Sequence, residues 1–121
     1  MKQFAVIGLG NFGTSLAKTL VQMGYEVLAI DADENKVNQV ADIVTHAVTA
    51  NALEESVLHS LGLRNFNIVV VSIGQDIQAN ILVTLMLKEM GVTKVVAKAT
   101  TELHGSVLPV SYTHLDVYKR Q

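Results

Sequence analysis

Short runs of apolar, mostly β-branched residues recur along the chain, and stretches with a helical period separate them. Such runs predict buried strands, because strands covered on both faces are apolar throughout instead of alternating with polar residues. The strands predicted in this way span residues 4–7, 26–30, 45–49, 68–73 and 94–98. Strands separated by helices pair in parallel through right-handed crossovers. The pattern therefore predicts an α/β fold, a doubly wound parallel sheet of the Rossmann type.

The stretches between the strands carry apolar residues at helical spacing. The first helix is predicted to begin at Asn11 and to be stopped by Gly24. Asp33 is a plausible N-cap of the second helix, and the third is stopped by Gly62. The positions predicted to face the sheet are Phe12, Leu16, Leu20 and Met23 in the first helix, Val37, Val40 and Ala41 in the second, and Leu53, Val57, Leu58 and Leu61 in the third.

A fourth helix, predicted over residues 75–90, carries two apolar stripes. A helix packed only on its own sheet needs a single stripe. Two stripes indicate that one of them faces another subunit, whereas the alternative is a helix buried within its own domain. One stripe comprises Ile77, Ile81 and Leu85, and the other comprises Ala79, Leu82, Val83, Met86, Leu87 and Met90, with Gln78 and Glu89 between them on one side and Asn80 and Lys88 on the other.

Composition narrows the class of protein. The 121 residues are 50% hydrophobic and 17% charged, so they can form the core of one domain. Nine basic against eleven acidic residues, without a basic stripe, argue against nucleic acid as a partner. The absence of cysteine excludes disulfides, and the four histidines lack metal-ligand spacing, so no metal site is expected. No apolar run approaches the roughly 20 residues of a membrane span, and the N-terminus is unlike a signal peptide, so a cytosolic location is expected.

The segment after Leu108 departs from the pattern of strands and helices. Residues 109–121 have weak strand character, with a basic pair near their end. Two interpretations are open, a poorly packed C-terminal extension and a non-native scar, of which we favour the scar. We therefore expect a domain over residues 1–108 and an atypical tail over residues 109–121.

The strongest chemical signal is the motif Gly8-Leu9-Gly10-Asn11-Phe12-Gly13. The motif follows a predicted strand and opens an amphipathic helix. An acidic residue, Asp31, lies 18 residues after its last glycine, at the end of the next predicted strand. This context makes it a dinucleotide-binding fingerprint. Gly8 permits the tight turn, Gly10 lets a phosphate approach the backbone, and Gly13 allows close packing, while the helix amides bind the phosphates. The alternative is that the glycines serve only tight strand–helix packing.

Acidic residues follow the second predicted strand. Asp31 is positioned to accept hydrogen bonds from ribose hydroxyls, and its alternative role is that of a helix cap or loop acid. For Asp33, helix capping and ribose contact are equally open. Because no arginine follows Asp31 closely, a ribose 2′-phosphate, and with it NADP, is disfavoured.

Three further strand ends border the same crevice, since ligands of open α/β sheets lie outside the carboxyl ends of the strands. Asn51 and Ala52 are candidates for reading the adenine edge, and residues 72–75 for presenting backbone to ribose or phosphate. Lys98 is a candidate for neutralising a phosphate. The alternative for each is an ordinary loop residue.

Nothing in the chain resembles a substrate-processing site. There is neither a defensible Ser-His-Asp set nor a Walker-type loop. A dehydrogenase also needs a second domain to hold substrate against its nicotinamide. These observations indicate a binding domain and not an enzyme.

Several short segments, in order, resemble one family. They are Phe4-Ala-Val-Ile-Gly-Leu-Gly-Asn-Phe-Gly13, Thr45-His-Ala-Val48, Leu61-Gly-Leu-Arg-Asn-Phe66, Ser72-Ile-Gly74 with Ile77-Gln-Ala79, and Lys98-Ala99. Over residues 2–108 the chain resembles the RCK (KTN) nucleotide-binding domain, most closely that of the regulatory subunits of Ktr/Trk-type potassium transporters.

The resemblance implies a cytosolic subunit, peripheral to the inner face of the cell membrane, that forms homodimers and then rings beneath a membrane potassium-translocating partner. In this family ATP and ADP compete for the crevice, and their exchange changes ring shape and transport; NAD(H) is the second ligand to consider. The resemblance carries nucleotide binding over to Gly8, Gly10, Asn11, Phe12, Gly13, Asp31, Ala32, Asp33, Asn51, Ala52, Ile73, Gly74, Gln75, Lys98, Ala99, Thr100 and His104.

The chain departs from the family at two places. Asn11 stands where these subunits commonly have an arginine that reaches the terminal phosphate, so the choice between ATP, ADP and NAD stays open. After Leu108 the family continues through a further strand and a second regulatory domain, which this sequence lacks. We therefore expect a C-terminally truncated nucleotide-binding domain with altered ring assembly.

Three functions are compatible with these residues and with the resemblance. We expect an adenine-nucleotide-binding regulatory domain that controls potassium transport by shifting the population between nucleotide-bound states. The alternative is the NAD-binding domain of an oxidoreductase, which predicts turnover with NADH. A purely structural scaffold with an empty crevice predicts no thermal shift with any nucleotide.

Overall fold

A computed structural model of the chain describes residues 2–74, 76–98 and 110–113, with residues 98 and 110–113 described by their backbone alone. Strands and helices alternate as the hydrophobic pattern predicts. The strands are β1 (Gln3–Ile7), β2 (Glu26–Asp31), β3 (His46–Thr49), β4 (Ile68–Val71), β5 (Val95–Lys98) and β6 (Val110–Thr113). The helices are α1 (Asn11–Gln22), α2 (Glu34–Val40), α3 (Glu55–Ser60) and α4 (Ile77–Glu89), with a 3₁₀ turn over Leu63–Asn65.

The strands form one sheet with the order β3-β2-β1-β4-β5-β6. Strands β1 to β5 are parallel, and β6 is antiparallel to β5. The predicted doubly wound α/β sheet is confirmed. From β1 the chain builds one half of the sheet through β2 and β3, and then returns to β4 on the other side of β1. Open α/β sheets bind ligands where the strand order reverses, outside the carboxyl ends of the strands.

Strand β6 pairs with the edge of the parallel sheet, Val110 opposite Lys98 and Thr113 opposite Val96. It falls within the segment that the sequence pattern sets apart as an atypical tail. The pairing shows strand structure at residues 110–113, as their weak strand character suggests. The domain boundary at residue 108 and the non-native origin of the tail stay predictions.

Both faces of the sheet are buried. In β1, Ala5 and Ile7 belong to a core cluster on one face that includes Leu58 of α3 and Leu87 of α4. Their neighbours Phe4 and Val6 belong to a second cluster, on the face covered by α1 and α2. Successive strand residues point to opposite faces. Each residue from Phe4 to Ile7 therefore has a core to face, which is why this part of β1 is apolar throughout.

Three residues predicted to face the sheet are exposed, namely Met23, Ala41 and Leu53. All three lie outside the helix to which they were assigned, because α1 ends at Gln22, α2 ends at Val40 and α3 begins only at Glu55. Met23 and Ala41 are the C-caps of α1 and α2 and still have helical φ and ψ, so the helical period continues to these ends while burial by the sheet does not. The faces that the three helices bury are Gly13, Ala17 and Leu20 in α1, Val37 and Val40 in α2, and Leu58 in α3.

Helix α4 has one buried and one exposed face. The predicted stripe of Ile77, Ile81 and Leu85, here called the outer stripe, is exposed by 47%, 52% and 46%. Two assignments at the other stripe are wrong, since Leu82 is exposed and Asn80, expected as a polar separator, is buried. The face toward the sheet follows the line of Ala79, Val83 and Leu87, on which Asn80 and Thr84 also lie.

The helices are short relative to a bilayer. Within the described ranges the longest is α4, with 13 residues. None of the helices in that part of the chain combines the length and the apolar character needed to cross a membrane.

Candidate functional site

A cleft opens at the carboxyl ends of β1, β2 and β4, where the strand order reverses. It encloses about 170 Å³, less than the roughly 300–1,000 Å³ of a pocket that surrounds a whole drug-sized ligand. The cleft is therefore large enough to enclose only part of a ligand of that size. The lining residues are Ile7, Gly8, Ile30, Asp31, Ala32, Ala50, Asn51, Ala52, Leu53 and Ile73.

Packing requires two glycines of the loop between β1 and α1. Gly8 has a φ of +100°, and a Cβ on it would lie 2.1 Å from the carbonyl oxygen of Ser72. A Cβ on Gly13 would lie 1.9 Å from the carbonyl oxygen of Gly8. The geometry agrees with the tight turn and the close packing predicted for these positions.

Gly10 differs from Gly8 and Gly13 in its backbone conformation or its surroundings, neither of which excludes a side chain. It is the N-cap of α1, with a φ of −75° that any residue adopts, and no atom lies within 4 Å of a Cβ built on it. Neither the backbone nor the packing of this chain demands a glycine there. The missing side chain leaves open space directly over the N-terminus of α1, which is what a phosphate needs to reach the backbone.

The N-terminus of α1 has the properties of an anion site. No side chain caps it, and its first turn holds no acidic residue. The first N–H groups of a helix lack partners within the helix, and the helix dipole adds about half a positive charge there. Asn11, the first helical residue, is exposed, whereas Phe12 is half-buried and packs against the core cluster of that face. Asn11 can therefore reach a ligand through its side chain, and the ring of Phe12 belongs to the core.

Asp31 ends β2 and holds two loops in place. Its Oδ2 accepts a hydrogen bond from the N–H of Leu9 at 2.7 Å, and its Oδ1 accepts one from the N–H of Asp33 at 2.8 Å. The carboxylate thus shapes the glycine loop and the β2–α2 turn, which is the loop-acid role weighed for it. Each carboxylate oxygen has more than one acceptor position, so these bonds leave room for a ribose hydroxyl. Ribose contact stays a prediction.

Asp33 is the N-cap of α2. Its Oδ1 accepts a hydrogen bond from the N–H of Asn35 at 2.9 Å. Of the two roles left open for Asp33, capping is present in the structure. Ala32, between the two acids, is exposed and lines the cleft.

Asn51 and Ala52 form the opposite wall of the cleft. Asn51 is exposed, and its Oδ1 accepts a hydrogen bond from the N–H of Leu53 at 3.0 Å, while Ala52 is buried in the core cluster beneath. Leu53 is 43% exposed and also lines the cleft. Sequence reasoning missed Leu53 because it assigned this residue to the inner face of α3; its place directly after Asn51 and Ala52 was the available signal.

The loop after β4 closes the cleft from the third side. Ile73 is half-buried and lines the cleft, and Gly74 is exposed with a φ of +45°. The buried hydroxyl of Ser72 donates a hydrogen bond to the carbonyl oxygen of Gly8 at 3.0 Å. The end of β4 is therefore tied to the glycine loop.

Asn80 of α4 supports this loop and was missed as a residue of the site. Its Oδ1 accepts a hydrogen bond from the N–H of Ile73 at 2.8 Å. An asparagine on the apolar line of α4, four residues after the N-cap Asp76, was the signal that could have found it.

The structure brings together six of the predicted binding residues in the cleft lining: Gly8, Asp31, Ala32, Asn51, Ala52 and Ile73. Gly10, Asn11, Phe12 and Gly13 adjoin them at the start of α1. Lys98 ends β5, and its side chain lies outside what the structure describes. Gln75, Ala99, Thr100 and His104 also lie outside the described residues, so their binding roles stay predictions.

The charge of the cleft is set by one residue. Asp31 is the charged side chain among the lining residues of the described part of the chain. In the same part, no three His, Asp or Glu side chains lie close enough together to hold a metal ion. Among the groups that the structure describes, the N-terminal end of α1 therefore carries partial positive charge that can attract an anion.

Comparison with known proteins gives matches along most of the chain. Residues 4–113 match the TrkA-N domain. The chain is 55% identical to Ktr system potassium uptake protein C and 56% identical to Ktr system potassium uptake protein A, both of Bacillus subtilis, over 107 residues in each case. Each match covers 88% of this chain and 48% of the relative, so the chain spans about half the length of these two proteins.

A solved structure shares the fold. The NAD(P)-binding domain of an exopolyphosphatase-related protein from Archaeoglobus fulgidus superposes with a TM-score of 0.75 at 23% identity, covering 99% of this chain and 93% of that one. At this identity the likeness shows the fold alone.

Proposed function

The chain belongs to the TrkA-N domain family, and we propose that it is the nucleotide-binding regulatory domain of a potassium-uptake system, without chemistry of its own. One observation carries the nucleotide part of the proposal: Gly10 leaves open space over the uncapped N-terminus of α1, beside the cleft. The names of the two Bacillus subtilis relatives support the potassium part.

The bound nucleotide would lie across two regions. The cleft between Asp31, Asn51 and Ile73 takes the adenosine half, because it is largely apolar with a few convergent polar groups. The phosphates lie over Gly10 and the amides of α1. ATP places one more phosphate group, with its charge, at that helix end than ADP does, so their exchange changes the contacts there and shifts the population between two states.

NAD(H) is the second ligand class in this proposal. Asn11 adds a hydrogen-bond donor but no charge at the start of α1, and the pyrophosphate of NAD carries less charge than the triphosphate of ATP. Because Asn11 is uncharged, replacing ATP by NAD(H) costs less binding free energy here than it would with an arginine at the same position. The related fold described as NAD(P)-binding is in keeping with this alternative.

A calorimetric titration of the purified chain with ATP, ADP and NADH in parallel tests the proposal. We expect tight binding of ATP or ADP and weak binding of NADH. A preference for NADH would move the function to NAD-linked sensing, or, if NADH is consumed, to the oxidoreductase alternative. No binding and no thermal shift with any of the three would leave a structural scaffold and contradict the proposal.

Gly10→Ala separates binding from folding. We expect nucleotide affinity to fall at least tenfold, because the new methyl group fills the space that a phosphate needs over α1. The free energy of unfolding should change by less than about 1 kcal/mol, since the poorer N-cap and the stiffer unfolded chain offset each other. Calorimetry and thermal unfolding measure the two effects. Ser15→Thr adds one carbon on the exposed face of the same helix and should change neither; unchanged affinity in Gly10→Ala would place the phosphates elsewhere.

We further propose a homodimer or ring, held beneath a potassium-translocating membrane subunit at the inner face of the cell membrane. The outer stripe of α4, with the exposed Leu82 beside it, is the apolar surface that supports self-association. Contiguous apolar side chains on a soluble domain are commonly interaction sites.

Ile81→Glu tests the oligomer. We expect the wild-type chain to self-associate and the variant to do so with at least a tenfold higher dissociation constant, because a carboxylate at the centre of the outer stripe would be buried without a partner. Sedimentation equilibrium measures this. Met23→Glu introduces the same charge at a site that is 61% exposed and off the stripe, and should leave association unchanged. A monomeric wild-type chain, or equal effects of both substitutions, would refute the role of the stripe.

A further inference from the structure

Asn80 is a buried amide on a face of α4 that is otherwise mostly apolar. It is 6% exposed, and within the described part of the chain its side-chain hydrogen bonds go to Ile73 and Asp76, in the loop between β4 and α4. Its Oδ1 accepts from the N–H of Ile73 at 2.8 Å, and its Nδ2 donates to the carbonyl oxygens of Ile73 at 3.2 Å and Asp76 at 2.9 Å. An amide is the side chain that can accept and donate in this way at once.

The loop that Asn80 holds is also supported by Asp76, which caps α4, and by Ile73, which packs against the core cluster of that face. The N–H of Asp76 donates to the carbonyl oxygen of Ile73 at 3.3 Å, a long bond, and Gly74 takes a left-handed conformation. The N–H and carbonyl groups of Ile73 point back to α4 through Asn80, which leaves the Ile73 side chain at the cleft. The shape of this cleft wall therefore depends on Asn80.

The same residue joins the cleft to the rest of α4. Asn80 lies between Ile77 and Ile81 in the sequence, on the buried face of the helix that borders the exposed outer stripe. Through Ser72, which donates to the carbonyl of Gly8, the loop is also tied to the glycine loop. A change at Ile73 thus has a hydrogen-bonded route to α4 on one side and to Gly8 on the other.

We propose that Asn80 is a positioning residue that holds Ile73 and Asp76, in the loop between β4 and α4, in place for the nucleotide and transmits ligand contact at Ile73 to helix α4. The inference rests on the proposed nucleotide-binding function. It adds a regulatory path, because the helix that receives the signal carries the outer stripe on its other face. Asn80 itself does not touch the ligand.

Two substitutions at Asn80 and one matched control test the proposal. Asn80→Asp keeps the acceptor for the Ile73 N–H and removes both donors, whereas Asn80→Ser is too short to keep the three bonds. Thr84→Val is the control, because Thr84 is equally buried on the same helix face and its hydroxyl bonds only within the helix, to the carbonyl oxygen of Asn80 at 2.6 Å. All three variants lose a buried polar contact, but only the first two lose contact with the loop.

ADP affinity by calorimetry and backbone hydrogen exchange, with and without ADP, are the measurements. We expect ADP affinity to fall at least tenfold in both Asn80 variants and less than twofold in Thr84→Val. In the wild type, ADP should slow exchange at residues 73–76 and in the first turns of α4 together, and in Asn80→Asp the slowing in α4 should be lost. This second readout would not change if Asn80 served stability alone.

The other outcomes contradict either the role of Asn80 or the proposed nucleotide-binding function. Equal losses of affinity in the Asn80 variants and Thr84→Val, or wild-type affinity in the Asn80 variants, would overturn the proposal while the nucleotide function stands. If the Asn80 variants do not fold, hydrogen exchange in the wild-type chain tests the proposal. Slowing by ADP that is confined to residues 8–13 and 31–33 would then overturn the proposal. A wild-type chain that binds none of ATP, ADP and NADH would refute the proposed function itself, and the inference with it.

Discussion

Gly8→Ala should lower the free energy of unfolding by about 4 kcal/mol, because two costs add at this position. The φ of +100° strains any residue with a side chain, by about 1–3 kcal/mol. The new Cβ would also lie 2.1 Å from the carbonyl oxygen of Ser72, and overpacking of this kind costs about 1–3 kcal/mol more. Neither side can move freely, since Gly8 and Ser72 follow adjacent strands of the sheet. Thermal unfolding should show a midpoint lower by about 12–20 °C.

Gly24→Ala is the matched control for this prediction. Gly24 has nearly the same backbone conformation, with a φ of +93°, but no atom lies within 4 Å of a Cβ built on it. It should therefore lose only the cost of backbone strain, about 1–3 kcal/mol. The difference between the two variants measures the close approach of the β1 and β4 strand ends. Equal losses would show that this approach does not constrain Gly8.

Asp31→Ala should weaken the binding of ATP, ADP and NADH by about a hundredfold each, which corresponds to about 2.7 kcal/mol. All three ligands carry a ribose that the carboxylate is proposed to bind. The substitution also releases the N–H groups of Leu9 and Asp33, and with them the shape of the glycine loop and the β2–α2 turn. Hydrogen bonds to a charged group contribute about 1.5–3 kcal/mol, so the unfolding free energy should fall by about 2–4 kcal/mol. Parallel calorimetric titrations and thermal unfolding measure both losses.

Asp42→Ala removes the same charge from an exposed position after α2, outside the cleft lining. We expect it to bind all three nucleotides as the wild type does. Unchanged affinity of Asp31→Ala for every nucleotide would refute the position assigned to the binding crevice. A loss that Asp42→Ala shares would assign the effect to net charge instead of to the site.

Most of the fold was predictable from local patterns. Phe4 to Ile7 are all apolar, which requires a covered sheet on both faces, and the structure supplies a core on each. The acid after β2 and the glycine motif after β1 follow from the parallel arrangement, which brings the strand ends to one edge. Helix ends were less predictable, because Met23 continues the apolar period of α1 to its C-cap and is nevertheless 61% exposed.

The supports of the site were not predictable in the same way. Asn80 appears in the sequence as one polar residue in a helix, and only the positions of Ile73 and Asp76 beside α4 make its amide a buried bridge. The three glycines of the motif also look equivalent in the sequence. Their differences depend on what lies next to each, the carbonyl of Ser72 at Gly8, the carbonyl of Gly8 at Gly13, and open space at Gly10.

The sequence by itself determined the alternation of strands and helices, the doubly wound sheet and the location of the candidate site, because these follow from the period of apolar residues and from short motifs within one strand–helix unit. Only the tertiary structure decided which residues hold the site in shape. Asp31 bonding to Leu9, Ser72 to Gly8 and Asn80 to Ile73 join residues from different parts of the fold. Such contacts depend on distances between elements, and local periodicity does not encode those distances.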